Sequence, residues 1–296
     1  AAYEAGVRDI ALFEIGKTPG GVLGQCIHSG FGLSSLGQEL TGPEFSASFE
    51  RKITEYGIKI YYESPVTELK PDRTMTVISR DEGMLHVKAG AVICAQGCRE
   101  RPAGALGIPG TRPAGVMTAG TAQKIINIDG FSVGNRVVIL GSGDIGLIMA
   151  RRLTLEGAKV LCVCELMPFS NGLSRNIVQC LEDYGIPLRL SCTVTGIEGE
   201  GRLKAVRVAP VDPETLVPDL SREERIECDT LLLSVGLIPE TGLLADAGAE
   251  IGPNRGISVD QSCMTSLEGV FAAGNVVQVH DLADFAASEG TQAGKA

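Results

Sequence analysis

"RVVILGSGDIGLIMARRLTLEGAKVLCVCE" occupies residues 136–165. An apolar, β-branched run feeds Gly141-Ser142-Gly143-Asp144-Ile145-Gly146. A helical pattern follows to Gly157, and a second apolar run ends at Glu165. Strand, glycine turn, helix, strand and acid stand in the order that a dinucleotide-binding βαβ unit requires. Gly141 permits the sharp turn, Gly143 lets the backbone approach a pyrophosphate, and Gly146 lets the helix pack on the strand. The helix start at Asp144 and Ile145 offers unpaired N–H groups and a positive dipole end to phosphates. Glu165 can accept hydrogen bonds from a ribose diol. The G-x-G-x-x-G spacing alone is a weak signal; its placement between two strands, with an acid after the second, makes it specific.

The chain opens with a partial copy of the same pattern. "AAYEAGVRDIALFE" ends at Glu14 and "RLTLEGAKVLCVCE" at Glu165; each has a glycine eight residues before the acid, at Gly6 and Gly157. The offset is 151. Downstream, "ITEYGIKIYYESPVTEL" (53–69) resembles "LEDYGIPLRLSCTVTGI" (181–197), aligning Tyr56-Gly57-Ile58 with Tyr184-Gly185-Ile186. Each copy closes on an apolar strand and glycine, "AVICAQG" to Gly97 and "TLLLSVG" to Gly236. The chain therefore carries a duplicated unit. The opening is expected to be a helix ending at Gly6 and a strand ending at Glu14, the second half of a βαβ unit whose first strand and glycine turn are missing from this sequence.

These patterns predict an α/β protein of two nested Rossmann-like, three-layer domains, each with a small antiparallel meander (65–90 and 193–210) on its parallel sheet. The first domain is expected over 1–112, the second over 113–242, and 243–296 returns to the first. The Gly/Pro-rich "RPAGALGIPGTRPAGVMTAG" reads as the crossover.

Composition narrows the function. The 296 residues carry 26 Lys+Arg against 36 Asp+Glu, a net charge of −10, which disfavours nucleic acid or an anionic membrane as partner. No apolar run approaches the roughly 20 residues of a membrane span. Nine scattered cysteines do not read as a secreted disulfide framework, and a cytoplasmic location is expected. The histidines and cysteines show no metal-site spacing.

The two nested dinucleotide patterns and "ISVDQSCMTSLEGVFAAGNV" (257–276) resemble the two-domain flavoprotein reductases, the thioredoxin-reductase-like or pyridine nucleotide–disulfide oxidoreductase superfamily. The resemblance implies FAD on the first domain and NAD(P)H on the second. Carried over by position, Glu14 matches the acid on the FAD adenosine ribose, and Gly20-Gly21 the glycine pair beside the flavin. Gln25 and Val66, with Ala95 and Gly97 of "CAQG", join the implied FAD set. Gly274 and Asn275 stand where the family has Gly-Asp; Asn275 can still accept through its amide oxygen, without charge. The helix expected near Asp281 points its N-terminus at the flavin. Gly141, Gly143, Asp144, Ile145, Gly146, Glu165 and Gly236 form the implied NAD set. "GGVLGQCIHSGFG", "GCRERPAGALGIPGTRPAG" and "GSGDIGLIMARRLTLEGAKV" more narrowly resemble a branch associated with anaerobic glycerol-3-phosphate dehydrogenase, related to the FAD subunits of opine oxidases and hydrogen cyanide synthase.

No two cysteines have the C-x-x-C spacing of a dithiol relay. Cys162 and Cys164 are expected to turn to opposite faces of a strand and so to form a poor disulfide. Hydride transfer between NAD(P)H and flavin remains as the implied chemistry. NADH is favoured: Glu165 repels a 2′-phosphate, and "LMPFSNG" after it lacks an arginine cluster. Cys26 and His28 follow the glycine pair and are candidate proton donors or flavin-edge contacts; a packed thiol and a loop-stabilising imidazole are the alternative. His280 is expected to cap a helix or face an interface. The electron acceptor is a small molecule or a protein. The alternative function is an electron-transfer subunit of a multi-subunit dehydrogenase. A homo-oligomer or heteromer is expected.

Overall fold

The computed structural model describes residues 1–296, which divide into two compact units: Ala1–Arg99 with Ile238–Ala296, and Glu100–Leu237. The sequence reading set the limits at 112/113 and 242/243. The difference has a packing cause. Ala103, Leu106 and Ile108 lie against the second unit's apolar core, and Gly110 bridges Ile197. A side chain at Gly110 would overlap the Ile197 backbone.

The second unit is built on five parallel strands in the order Val116–Thr118, Thr230–Leu233, Arg136–Leu140, Lys159–Cys164, Leu188–Arg189. Such a sheet is buried on both faces, which is why its strands read as continuous apolar runs. Val137 and Ile139 pack among the helices Ala119–Asn127 and Asp144–Leu155, while Val138 and Leu140 pack with Val194, Val206 and Val208 of the meander. That meander is a three-stranded antiparallel sheet, Cys192–Glu200, Arg202–Pro210 and Glu224–Glu227. Helices, parallel sheet and meander make the three layers. Cys162 and Cys164 correct the expectation made for them. Alternate residues of a strand share a face, both thiols lie in the meander-side core, and their Sγ atoms are 3.8 Å apart.

In the first unit the helix Gly42–Glu55 starts with a capping box, Thr41 and Glu44, each side chain bonded to the other's backbone N–H. The meander recurs as Val66–Leu69, Thr74–Ser79 and Gly83–Lys88. The parallel strands form two pairs, Ala11–Phe13 with Lys59–Tyr61 and Val92–Cys94 with Val270–Ala272. By the repeat, Ala11–Phe13 corresponds to the end of Lys159–Cys164, and Val92–Cys94 to Thr230–Leu233. In the second unit Arg136–Leu140 hydrogen-bonds to both of those strands; residues 1–296 place no strand between their counterparts in the first. Phe13 and Val92 pack on a shared core that includes Leu69, Cys94, Leu244 and Val270.

The duplication is visible in detail. Gly57 and Gly185 both adopt left-handed backbone, φ 66 and 63. The Ile58 and Ile186 N–H groups reach back to Ile53 and Leu181 carbonyls at 3.0 Å, so both copies leave a helical segment through the same glycine turn. The opening helix is reduced to one turn, with Ala5 N bonded to Ala1 O at 2.8 Å. No helix is long and apolar enough to cross a membrane.

Candidate dinucleotide sites

In the second unit the strand Arg136–Leu140 delivers the chain to Gly141 at φ 98, and Gly141 N bonds to Cys164 O at 2.7 Å. Ser234, just past Thr230–Leu233, seats the turn. A side chain at Gly141 would overlap the Ser234 carbonyl; one at Gly146 would lie 2.8 Å from Ser234 Cβ and 2.7 Å from Gly141 O. Ser234 Oγ accepts from Gly146 N at 3.1 Å. Gly143 differs from both. Its φ of −65 suits any residue, and a Cβ there would find its nearest atom at 3.6 Å. Nothing inside the protein requires glycine at 143, and the position is open to close approach by a ligand. The backbone N–H groups of Gly143, Asp144 and Ile145 have no acceptor within the chain, and they open the 12-residue helix Asp144–Leu155. Unpaired donors at the positive end of a helix dipole form an anion cradle. The residues present therefore fit a dinucleotide pyrophosphate.

Glu165 is 5% exposed. One carboxylate oxygen accepts from Ser142 N at 2.8 Å and Ser142 Oγ at 2.7 Å; the other accepts from Met167 N at 3.0 Å. Glu14 repeats the last bond at the 151-residue offset, accepting from Gly16 N at 2.6 Å. Both acids are thus oriented by the backbone two residues on. Gly236 is left-handed at φ 96, with open space where a Cβ would point.

In the first unit Glu14 and Gly20 line a cavity of about 250 Å3 with Leu12, Leu23, Ser46 and Phe49. Gly20 is left-handed, φ 93, and a Cβ there would overlap Ser46 Oγ; Gly21 at φ 53 faces open space. The pair feeds the short 3-10 helix Gly21–Gln25, which ends at Gln25. Cys26 follows, its Sγ 3.3 Å from Val22 O and its carbonyl holding Gly42 N at 2.9 Å. Burial pushes the Cys26 thiol up to about 11, so it is neutral at pH 7. His28 Nδ1 lies 3.1 Å from Ser29 O, and its ring tilts on Phe31. Val66 belongs to the meander and packs on the central core. Ala95 and Gly97 follow Val92–Cys94, with Gly97 left-handed at φ 72. Gly274 is buried at φ 76, and its N–H donates to Glu289 at 2.8 Å. Asn275 is held inside the protein: Oδ1 accepts from His280 N at 3.0 Å, and Nδ2 donates to Cys98 Sγ at 3.4 Å. His280 is 8% exposed at its side chain and 3.1 Å from Glu289, an internal pairing and not a cap on the last helix. For the implied FAD, the fit is partial. Glu14 and its cavity are present and Gly21 and Gly97 leave open space, but Gly20 is closed by Ser46 and Asn275 is already engaged.

The last helix begins at Ala283, two residues beyond the expected start. Its Asp284 is 4% exposed, and the sequence reading missed it. The carboxylate accepts from Gly32 N at 3.0 Å, Ser34 N at 3.1 Å, and Ser35 N and Oγ at 2.8 Å each. Burial pushes this carboxyl up, but the bonds from Ser35, Gly32 and Ser34 outweigh it and hold it below its ordinary value. Asp284 thereby fixes the loop that follows Cys26 and His28. Ser142 and Ser234 were also missed; both act through contacts distant in sequence.

A parallel sheet with a glycine turn, an anion cradle and an acid on the next strand defines a dinucleotide-binding α/β protein. The model of the pyridine nucleotide-disulphide oxidoreductase family matches residues 3–290, and the chain belongs to that family. It is 28% identical over 271 residues to an NADH oxidase of Streptococcus pneumoniae, covering 83% of this chain and 55% of that protein. It is 27% identical over 266 residues to the hydrogen cyanide synthase subunit HcnB of Pseudomonas protegens, with the same coverage, 83% and 55%. Among solved structures, the thioredoxin reductase of T. acidophilum matches with a TM-score of 0.78 and 25% identity, covering 99% of this chain and 90% of that one. The chain thus spans about half the length of the two curated relatives.

Proposed function

We propose that this chain is an FAD-dependent oxidoreductase that transfers hydride between NAD(H) and flavin and passes the electrons on without a dithiol relay. The observation that carries the reading is the cradle at Gly143–Ile145, where three N–H groups and an otherwise unneeded glycine await an anion. Family membership supports flavin on the first unit, where Glu14 would hold the adenosine ribose and the glycines at 21 and 97 would admit the isoalloxazine. Bound flavin supplies the two-electron chemistry. The chain's residues bind, orient and select. Glu165 disfavours a 2′-phosphate by charge, and residues 166–173 contain no arginine to welcome one, so NADH is the preferred donor. Cys26 is neutral and carries no thiolate chemistry. Cys162 and Cys164 are fully buried, which supports electron flow that bypasses thiols.

The similarity to HcnB favours a second reading, an electron-transfer subunit that turns over only with a partner dehydrogenase. Two measurements decide. The chain is supplied with FAD and its visible spectrum recorded, then NADH is added without oxygen. Bleaching of a bound flavin supports the first reading, and a protein that stays colourless removes flavin from it. Steady NADH turnover with an artificial acceptor, in the absence of any partner, removes the second.

A further inference from the structure

Residues 166–173, "LMPFSNGL", leave Glu165 and fold back over the glycine turn. Ser170 Oγ donates to Ser142 O at 3.2 Å, and Asn171 N donates to Ser142 Oγ at 3.3 Å. Leu173 N and Asn176 Nδ2 both donate to Asp144 Oδ1, at 2.8 and 2.7 Å. Gly172 lies so close that a Cβ would sit 2.5 Å from Leu147 Cδ1, 2.9 Å from Ser142 O and 3.1 Å from Asp144 Oδ1. The result covers the acid meant for a ribose: Ser142 is 0% and Glu165 5% exposed, with both Glu165 oxygens already accepting from the chain.

Over 169–173 the strap is held chiefly by these polar bonds, while its root is tied down at Met167 O, which accepts from Ser191 N at 3.0 Å. The apolar side chains of this stretch, Phe169 and Leu173, are 55% and 38% exposed, whereas Leu166 and Met167 at the root are half-buried. A segment with few buried apolar contacts opens at low cost. The pyrophosphate donors at Gly143–Ile145 remain free while the ribose acceptor is shut. The cradle is thus ready at one end and closed at the other.

We propose that residues 166–173 are a self-closing strap on the nucleotide site, latched by Asp144 to Leu173 and Asn176, and that a dinucleotide binds by lifting it from Ser142 and Glu165. The proposal rests on the nucleotide reading above. Apparent affinity then falls by the fraction of molecules whose strap is open. Asp144 and Asn176 act as positioning residues that set this fraction.

The test uses the full chain and NADH. Ser170→Ala with Asn176→Ala removes two side-chain bonds of the strap and leaves every cradle residue in place. Hydrogen exchange is followed over 169–173 and over 141–146, and the NADH Kd is taken from its fluorescence. In the wild type, NADH is expected to protect 141–146 and to speed exchange over 169–173. The double variant is expected to exchange faster over 169–173 without ligand and to bind NADH about fivefold more tightly. Protection at 141–146 with unchanged or slower exchange at 169–173 overturns the strap alone, because the segment is then a fixed wall. Weaker NADH binding in the double variant overturns it as well. No protection at 141–146 by NADH overturns the nucleotide reading and the strap with it.

Discussion

Three glycines of one turn should respond to alanine in two opposite ways. Gly141→Ala places a Cβ on the Ser234 carbonyl and forces an L-residue to φ 98. Left-handed backbone costs about 1–2 kcal/mol, and overlap with a fixed backbone atom adds about 1–3 kcal/mol. The sum is near 4 kcal/mol. In a chain of this size each kcal/mol shifts the melting temperature by about 2–4 °C, so a fall of about 10 °C is expected. Gly146→Ala should also destabilise, since its Cβ would press on Gly141 O and Ser234 Cβ. Gly143→Ala should not. Its backbone is compatible with alanine and the nearest atom is 3.6 Å away, so a change of about +0.4 to +1 kcal/mol is expected from the stiffer unfolded chain. Yet on the proposed reading that methyl group stands where a pyrophosphate comes close. Loss of one charged hydrogen bond, about 2 kcal/mol, weakens NADH about thirtyfold. Thermal melts and NADH titration of the same samples separate the two effects. A Gly143→Ala protein that is stable and binds NADH like the wild type refutes the cradle. One that melts about 10 °C lower refutes the claim that position 143 is free of internal constraint.

Asp284→Ala should cost about 3 kcal/mol by orphaning the Gly32, Ser34 and Ser35 donors, and hydrogen exchange should rise over 32–35; unchanged exchange there would show that the carboxylate does not hold the loop. Because the folded Asp284 carboxyl lies below its ordinary value, its stabilisation is complete above about pH 4, the usual range for an unfolded Asp, and is lost as acid titrates the folded group. The wild-type advantage over Asp284→Asn, read from urea midpoints, should therefore shrink only below that pH. Ser234→Ala removes the acceptor of Gly146 N, and a drop of about 1 kcal/mol is expected in denaturant unfolding. Cys26 and Cys94 are both pushed up to about 11 by burial; a thiol reagent at pH 8 should label the native protein no more slowly after Cys26→Ser, and loss of a fast phase would reveal an activated thiol at 26.

Much of this architecture is legible in the sequence because it is local. The glycine turn, the acid 24 residues after Gly141 and the two Tyr-Gly-Ile turns are set by short spacings, and each forms in the structure where the spacing places it. The shared acid-to-backbone bond, Glu14 to Gly16 and Glu165 to Met167, follows from the same repeat. What escaped the sequence is long-range. Asp284 meets Gly32 across 252 residues, and nothing in "HDLADF" distinguishes it from a solvated helix-start acid. The strap escaped for another reason: "MPFSNG" reads as an ordinary turn, and only the fold brings it down on Ser142. The Cys162–Cys164 expectation failed on the period of a strand. The domain limits shifted because Ala103, Leu106 and Ile108 find their apolar partners in the second unit, a preference that a Gly/Pro-rich stretch conceals.

The seat that Ser234 provides has a consequence for biosynthesis. The glycine turn is complete in the nascent chain at residue 146, yet the atoms that fix it lie 88 residues further on, and Thr230–Leu233 must pair with Arg136–Leu140 to deliver them. Contacts so separated close late. On the ribosome the turn should stay unsettled until residue 234 has emerged. Nascent chains stalled before that point are expected to be cut by protease within 141–146, and chains stalled well beyond it to resist; equal resistance in both would show that the turn sets without its seat.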